Sequence, residues 1–275
     1  MKMTRYLKKN KNEIGLSPQE LIFRGNQKIE KIGLRLIDFD ESEIEEKSIK
    51  KASEIISYNK KESVTWLNID GLHDLKLLKD LGEKFDLNNF ILADILETNS
   101  RPKIHEFEKW IFISVKILEY DQKIETFTVE NLSIIFNERM LITFQEKKGD
   151  IFEPVRDRIR NQKRTLRSSG PDYLVFALLD TVIDHYLYLL SNFSEKIESF
   201  DEMLLEEPDK KVIEGINHNK KELNHIQRGI KSAKDMIFAL SKLESDFISE
   251  KNDIHFKELV FNINQASDSV DSLRE

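Results

Sequence analysis

The sequence predicts a chain in two parts: a sheet-bearing body, α+β or α/β, to about residue 170, and an all-helical remainder. Three observations carry this. Four strand-like segments follow one another between Lys103 and Glu146 with short links, and short links favour antiparallel neighbours. From Asp172 to Glu206 the apolar residues Phe176, Leu179, Ile183, Tyr186, Leu190, Phe193, Ile197, Phe200 and Leu204 recur at alternating steps of three and four, the a/d seam of a heptad pattern. The break between the parts is written as Ser168-Ser169-Gly170-Pro171, a cluster that neither a helix nor a strand continues through.

Taken in order, residues 1–17 are polar and basic and are expected to be a disordered tail. Leu21-Ile22-Phe23 is a short strand candidate ended by Gly25. Ile32 to Phe39 alternates as a strand. Glu41 to Ile56 is charged, with Ile44, Ile49, Ala52 and Ile55-Ile56 at helical spacing, and predicts a surface helix. Val64 to Ile69 is a strand closed by Asp70-Gly71. His73 to Phe85 and Asn88 to Glu97 predict two helices. The four strands follow, at Lys103–Glu108, Ile111–Tyr120, Thr126–Asn137 and Met140–Glu146. Both faces of the third turn apolar by Leu132, as in an inner strand covered on both sides. Asp150 is placed to cap a helix with Ile151, Phe152, Val155 and Ile159 inside and Arg156, Arg158, Arg160, Lys163 and Arg164 outside. Body and tail thus divide as 18–170 and 1–17.

The helical part reads as a hairpin over 171–249 and a third helix over 250–275. The first seam would run roughly 50 Å at 1.5 Å per residue. After Pro208-Asp209 an answering seam begins: Val212, Ile216, Asn219, Leu223, Ile226, Ile230, Ala233, Ile237 and Leu240. Two long seams joined by a Pro-containing turn are an antiparallel helical hairpin. Asn219 is the polar seam residue, and two readings stay open for it: a register pin, or a wet edge. The third seam is Phe256, Leu259, Ile263, Ala266, Val270 and Leu273, still in stride at Glu275, as expected of a helix that is cut off rather than finished.

Composition narrows the chemistry. There are no cysteines, which excludes disulfides, Cys-ligated zinc and thiol catalysis. The nine glycines form no phosphate loop or dinucleotide fingerprint, and the six histidines form no HExxH. No enzyme is expected. The basic start leads into no apolar run, so no secretory signal is expected, and no 18 apolar residues stand together to span a bilayer. Residues 172–275 hold 12 Lys and Arg against 21 Asp and Glu, a net of −9, whereas residues 1–171 hold +2. The hairpin tip is the extreme, with Glu195, Glu198, Asp201, Glu202, Glu206, Glu207 and Asp209 against Lys196. Such a run solvates a helix end or concentrates cations. It argues against nucleic acid, which wants a basic face.

Several short motifs, in order and in spacing, resemble the CorA family of Mg²⁺/Co²⁺ channels. They are Ala93-Asp94-Ile95-Leu96, Arg101-Pro102-Lys103, Phe144-Gln145-Glu146-Lys147 with Gly149-Asp150-Ile151-Phe152, Pro154-Val155-Arg156, Asp172-Tyr173-Leu174, Leu179-Asp180 and Asp184-His185-Tyr186. The resemblance covers roughly residues 20–275. It implies an α/β/α sandwich with a central mixed, mostly antiparallel sheet, then a long "willow" helical hairpin and the start of a stalk helix. It further implies the cytoplasmic domain of an inner or plasma membrane protein, homopentameric at full length. The membrane spans and the Gly-Met-Asn signature at the family's pore entrance would then lie outside these residues.

The family also binds a regulatory divalent metal, Mg²⁺ with Co²⁺ or another divalent cation possible, between neighbouring cytoplasmic domains. The matching positions are Asp94, Asp180 and Glu258. The family's usual Glu beside the first is Ala93 here. The stalk position is Glu where Asp is common, and Asn262 stands one turn on, where His can occur. Hard cations take oxygen ligands, and Mg²⁺ needs only one or two carboxylates with waters. The resemblance extends to the related ZntB-like zinc transporters. Without it, the residues alone would also suit a soluble coiled-coil adaptor that binds partner helices.

Overall fold

In the computed structural model, described for residues 13–50, 54–55, 58, 63–121, 126–149, 151–161, 164–206 and 209–274, seven strands form one mixed sheet. They are β1 (Gly33–Phe39), β2 (Ile44–Ser48), β3 (Val64–Asp70), β4 (Lys103–Glu106), β5 (Ile111–Asp121), β6 (Thr126–Phe136) and β7 (Met140–Gln145), in the order β2-β1-β3-β7-β6-β5-β4. Neighbours are antiparallel except β3 and β7, which pair parallel, Leu67 opposite Ile142. The expected mixed, mostly antiparallel sheet is therefore present.

Period-two alternation splits the sheet into two apolar faces. One presents Leu67, Phe112, Ile135 and Ile142 to α1 (Leu75–Phe85) and α2 (Asn89–Leu96). The other presents Trp66, Ile113, Ile134 and Leu141 to α3 (Glu153–Arg160), α5 (Pro171–Glu206), α6 (Lys210–Leu240) and α7 (Asp253–Ser272), with the single turn α4 (Arg164–Arg167) alongside. Asp74 caps α1 by accepting from Lys76 N and Leu77 N, each at 3.0 Å. A Cβ on Gly82 would come within 2.6 Å of Leu92 Cδ1. The bare backbone there is what lets α1 lie so close to α2.

The heptad seams are the core of the second face. Leu179, Ile183, Tyr186, Leu190 and Phe193 of α5 are buried, as are Leu223, Ile226, Ile230, Ala233, Ile237 and Leu240 of α6. Beyond Phe193 the burial fades, and Met203, Leu205 and Ile213 near the hairpin tip are exposed. The two helices still meet there, since a Cβ on Gly215 would lie 2.7 Å from the Phe200 ring. Asn219 is buried, which removes the wet-edge reading. Its neighbour Glu222 accepts from Phe127 N at 2.9 Å, tying α6 to the start of β6.

Phe256, Leu259, Ile263, Ala266 and Val270 of α7 are all buried against α5 and α6, so the third seam is satisfied within the chain. Both ends of α7 are tied. Asp172, buried at the start of α5, accepts from Ser249 N at 2.8 Å and Asn252 Nδ2 at 2.7 Å. Asp271 receives Gln227 Nε2 and Lys231 Nζ of α6. α5 also contains an 18-residue window long and apolar enough to cross a membrane, which the absence of an unbroken apolar run did not foretell; 61% of that window is buried inside the protein, as in a core helix.

Four expectations fail. Leu21–Phe23 is not a strand: the segment is irregular, and the following residue donates to the end of α2, Arg24 N to Leu96 O at 2.9 Å. The helix expected over Glu41–Ile56 is replaced at Ile44–Ser48 by β2, an edge strand. Asp40 decides this, because its carboxylate accepts from Ser42 N and Glu43 N, each at 2.7 Å, and closes a tight reversal after β1. Its Glu and Lys residues suit a strand edge that must not pair further. The third failure is α3, which starts at Glu153 after Phe152, not at a cap on Asp150; Asp150 lies outside the described residues, as do residues 1–12 of the expected tail and Glu207-Pro208 of the expected turn. The fourth is Arg156, placed outside by the pattern. It is buried, 5.1 Å over the Trp66 ring and 2.9 Å from Glu153, so a paired guanidinium takes a core position. The second long helix ends at Leu240, and residues 241–252 connect it to α7 through a 3₁₀ turn at Glu250–Asn252.

Candidate functional site

The three sequence-predicted carboxylates fall into two places. Asp180 and Glu258 come together where α5 and α7 pack. Asp180 is half-buried on the flank of α5 beside its sheet-facing seam, and Asn262 Nδ2 approaches its Oδ1 at 3.4 Å across the helix pair. Glu258 is exposed one turn before Asn262 on the same side of α7. Asp184 joins them. It stands one turn beyond Asp180, exposed.

The electrostatics report the crowding. Burial holds the Asp180 carboxyl above the usual range, and the charges of Asp184 and Glu258 push the same way, against the Asn262 hydrogen bond and the Arg158 guanidinium. A half-buried carboxylate with two acidic neighbours favours any cation that can reach it. The amide of Asn262 could turn its oxygen to the same point.

Asp94 is elsewhere. It sits on α2, whose buried side belongs to the opposite face of the sheet. Its Oδ1 receives Lys103 Nζ of β4 at 2.5 Å. Ala93, where the resemblance leads one to expect Glu, is buried and adds no ligand. Among the described residues, no group of three or more His, Cys, Asp or Glu is gathered to hold a metal within one chain. The cavity of about 460 Å³ between Lys84, Asp86, Glu108, Lys109, Glu138 and Arg139 mixes both signs of charge and includes none of the three carboxylates.

Three residues that touch or charge these carboxylates were not among the sequence candidates. Asp184 was legible from its spacing to Asp180, one helical turn on. Lys103 was legible only as part of a motif; its partner depends on the register of β4 against β5 and on where α2 lies. Arg158 acts on Asp180 across a helix packing that no local pattern encodes.

Comparison with known proteins agrees with the fold. Residues 61–275 match the family model described as CorA-like Mg2+ transporter protein. The cobalt/magnesium transport protein CorA of Thermotoga maritima is 28% identical over 261 residues, covering 95% of this chain and 74% of that protein. The soluble domain of CorA from Methanocaldococcus jannaschii superposes with a TM-score of 0.72 at 19% identity, over 89% of this chain and 92% of that one. The cytoplasmic domain of ZntB from Vibrio parahaemolyticus superposes with a TM-score of 0.67 at 14% identity, over 88% and 93%. At these identities the two structural likenesses concern architecture alone.

Proposed function

The chain belongs to the CorA-like Mg²⁺ transporter family, and on that premise we propose that it is the cytoplasmic metal-sensing part of an oligomeric Mg²⁺/Co²⁺ channel. The observation that carries this reading is the half-buried Asp180 on α5, which takes Asn262 of α7 as a partner and feels the charges of Asp184 and Glu258, an acidic half-site that the described residues of one chain do not complete. The donor set is all oxygen, which fits a hard divalent cation and not a soft one. Asp180 and Glu258 of one subunit would hold it together with Asp94 of a neighbour, because one chain does not bring Asp94 to the other two. A bound divalent cation supplies charge neutralisation between those carboxylates.

The chain's own residues set the rest. Asp180, Asp184 and Glu258 repel one another when nothing screens them, and that repulsion bears on the α5–α7 contact. Asp172 and Asp271 clamp the two ends of α7, so repulsion between those ends displaces the helices as bodies and does not unwind one of them. Exposed Ile254 and Phe261 on α7 are apolar surface for a sister subunit. The closed arrangement of the ring is favoured only by as much as metal prefers it, a differential of typically 1–3 kcal/mol for coupled sites.

The test is Mg²⁺-dependent thermal stabilisation of this chain against the Asp94→Ala/Glu258→Ala double variant. The double variant is expected to lose most of the Mg²⁺-induced rise in Tm. Equal rises in the two proteins would reject the site. Uptake of Mg²⁺ against Zn²⁺ by the membrane-embedded protein separates the CorA reading from the ZntB one.

A further inference from the structure

We propose that Lys103 is a tethered competitor for the metal-binding carboxylate Asp94, and that it sets the threshold at which a divalent cation is sensed. The inference rests on the sensing site proposed above and deepens it.

The two halves of that site are chemically unlike. On the α5–α7 half, Asp180 feels two further carboxylates and takes a neutral amide as partner, and the Arg158 guanidinium acts on it at range. On the α2 half, the position beside Asp94 is Ala93, buried and apolar. Its carboxylate is already engaged at 2.5 Å by the Lys103 ammonium. Both side chains keep about a quarter of their surface in water, 29% for Lys103 and 24% for Asp94, so the pair can open toward solvent.

β4 is what aims the lysine. Lys103 is its first residue, in register with Ser114 of β5, and its ammonium lies 5.9 Å from the Phe112 ring. The lysine is part of the chain, so its concentration at Asp94 does not fall when metal is scarce. A cation arriving at Asp94 must displace the ammonium or accept its repulsion. Either raises the metal concentration needed. A unit charge within several ångströms of a divalent ion, at a half-exposed site, changes affinity by roughly tenfold.

The experiment measures the MgCl₂ midpoint of thermal stabilisation at constant ionic strength. It compares the wild-type chain with Lys103→Met, Lys103→Arg, Asp94→Asn and the Lys103→Met/Asp94→Asn double variant. Lys109→Met serves as a charge control, because Lys109 pairs with Asp86 on another part of the surface. Lys103→Met is expected to lower the midpoint about tenfold. Lys103→Arg and Lys109→Met should stay within about twofold of wild type, and the gain should vanish in the Asp94→Asn background.

The inference is overturned if Lys103→Met moves the midpoint less than about twofold, if Lys109→Met moves it equally, or if the gain survives without Asp94. Lys103→Arg tests the same site with charge retained, so disturbed packing cannot pass for competition. If Asp94→Asn weakens the Mg²⁺ response while Lys103→Met leaves it unchanged, the competitor idea alone falls. If Asp94→Asn responds as wild type does, the sensing site falls and the competitor with it.

Discussion

Each face of the sheet buries an ionisable group whose charge burial strongly disfavours, an amine on one and a carboxyl on the other. On the α1–α2 face Lys116 is 1% exposed, and its ammonium donates to Thr98 O at 2.7 Å and Asn131 Oδ1 at 2.8 Å. Burial drags it down from 10.5 to about 8. On the face of the long helices Glu130 is 2% exposed, and its Oε1 accepts from Lys147 N at 3.0 Å. Burial pushes it up from 4.5 to about 7. Each fastens a connection to the sheet: Lys116 the loop after the helix that bears Asp94, Glu130 the chain between β7 and α3.

The signs differ, and so do the pH windows. Glu130 prefers its neutral form in the fold, so its contribution is intact below about pH 4.5 and lost as pH rises through 7. Lys116 also prefers neutrality, but a lysine gains it by rising pH; its penalty is full below about 8 and is relieved toward 10.5. Between pH 7 and 8 the fold therefore carries both costs. Each group's hydrogen bonds hold a connection whose polar atoms an apolar residue of the same volume would leave without that partner.

The contrast breaks hardest on the helical face. Leu179 of α5 is wholly buried, and Leu179→Ala is expected to lower stability by about 2–5 kcal/mol in urea unfolding, through the lost transfer energy and the cavity left behind. Next is Glu130→Gln, which keeps an acceptor for Lys147 N and removes the charge. It should be more stable than wild type by about 1–3 kcal/mol at pH 8 and nearly equal to it at pH 4; equal stability at both pH values would show that Glu130 is not held neutral. Lys116→Met sharpens the other side. Its two acceptors lose a partner, so the sign at pH 7 is not the readout. The readout is the slope: wild type should gain about 1–3 kcal/mol between pH 8 and 10.5 relative to the variant. Smallest is Leu205→Ala at the hairpin tip, where the side chain is 87% exposed; a change beyond about 0.5 kcal/mol would mean that the tip packs against something.

How far the chain was legible follows the range of the forces involved. The strands from Lys103 to Glu146 and the three seams were readable because alternation and heptad spacing are local patterns that burial on one side imposes. Asp180 and Asp184 were within reach for the same reason, one turn apart on one helix. β2 was not, because a carboxylate-capped reversal at Asp40 outweighed a weak helical spacing, and Arg156 was not, because a ring and a carboxylate made room for its charge in the core.

Periodicity in the amino-acid order was enough to establish a sheet-bearing body with long helices after it, and an acidic helical half. Only packing in three dimensions decided that α7 spends its apolar side on α5 and α6, that Glu258 meets Asp180, and that Asp94 lies on the other face with a lysine on it. Contacts between residues tens of positions apart depend on register and layer, and those are set by the whole core at once, not by any stretch of chain alone.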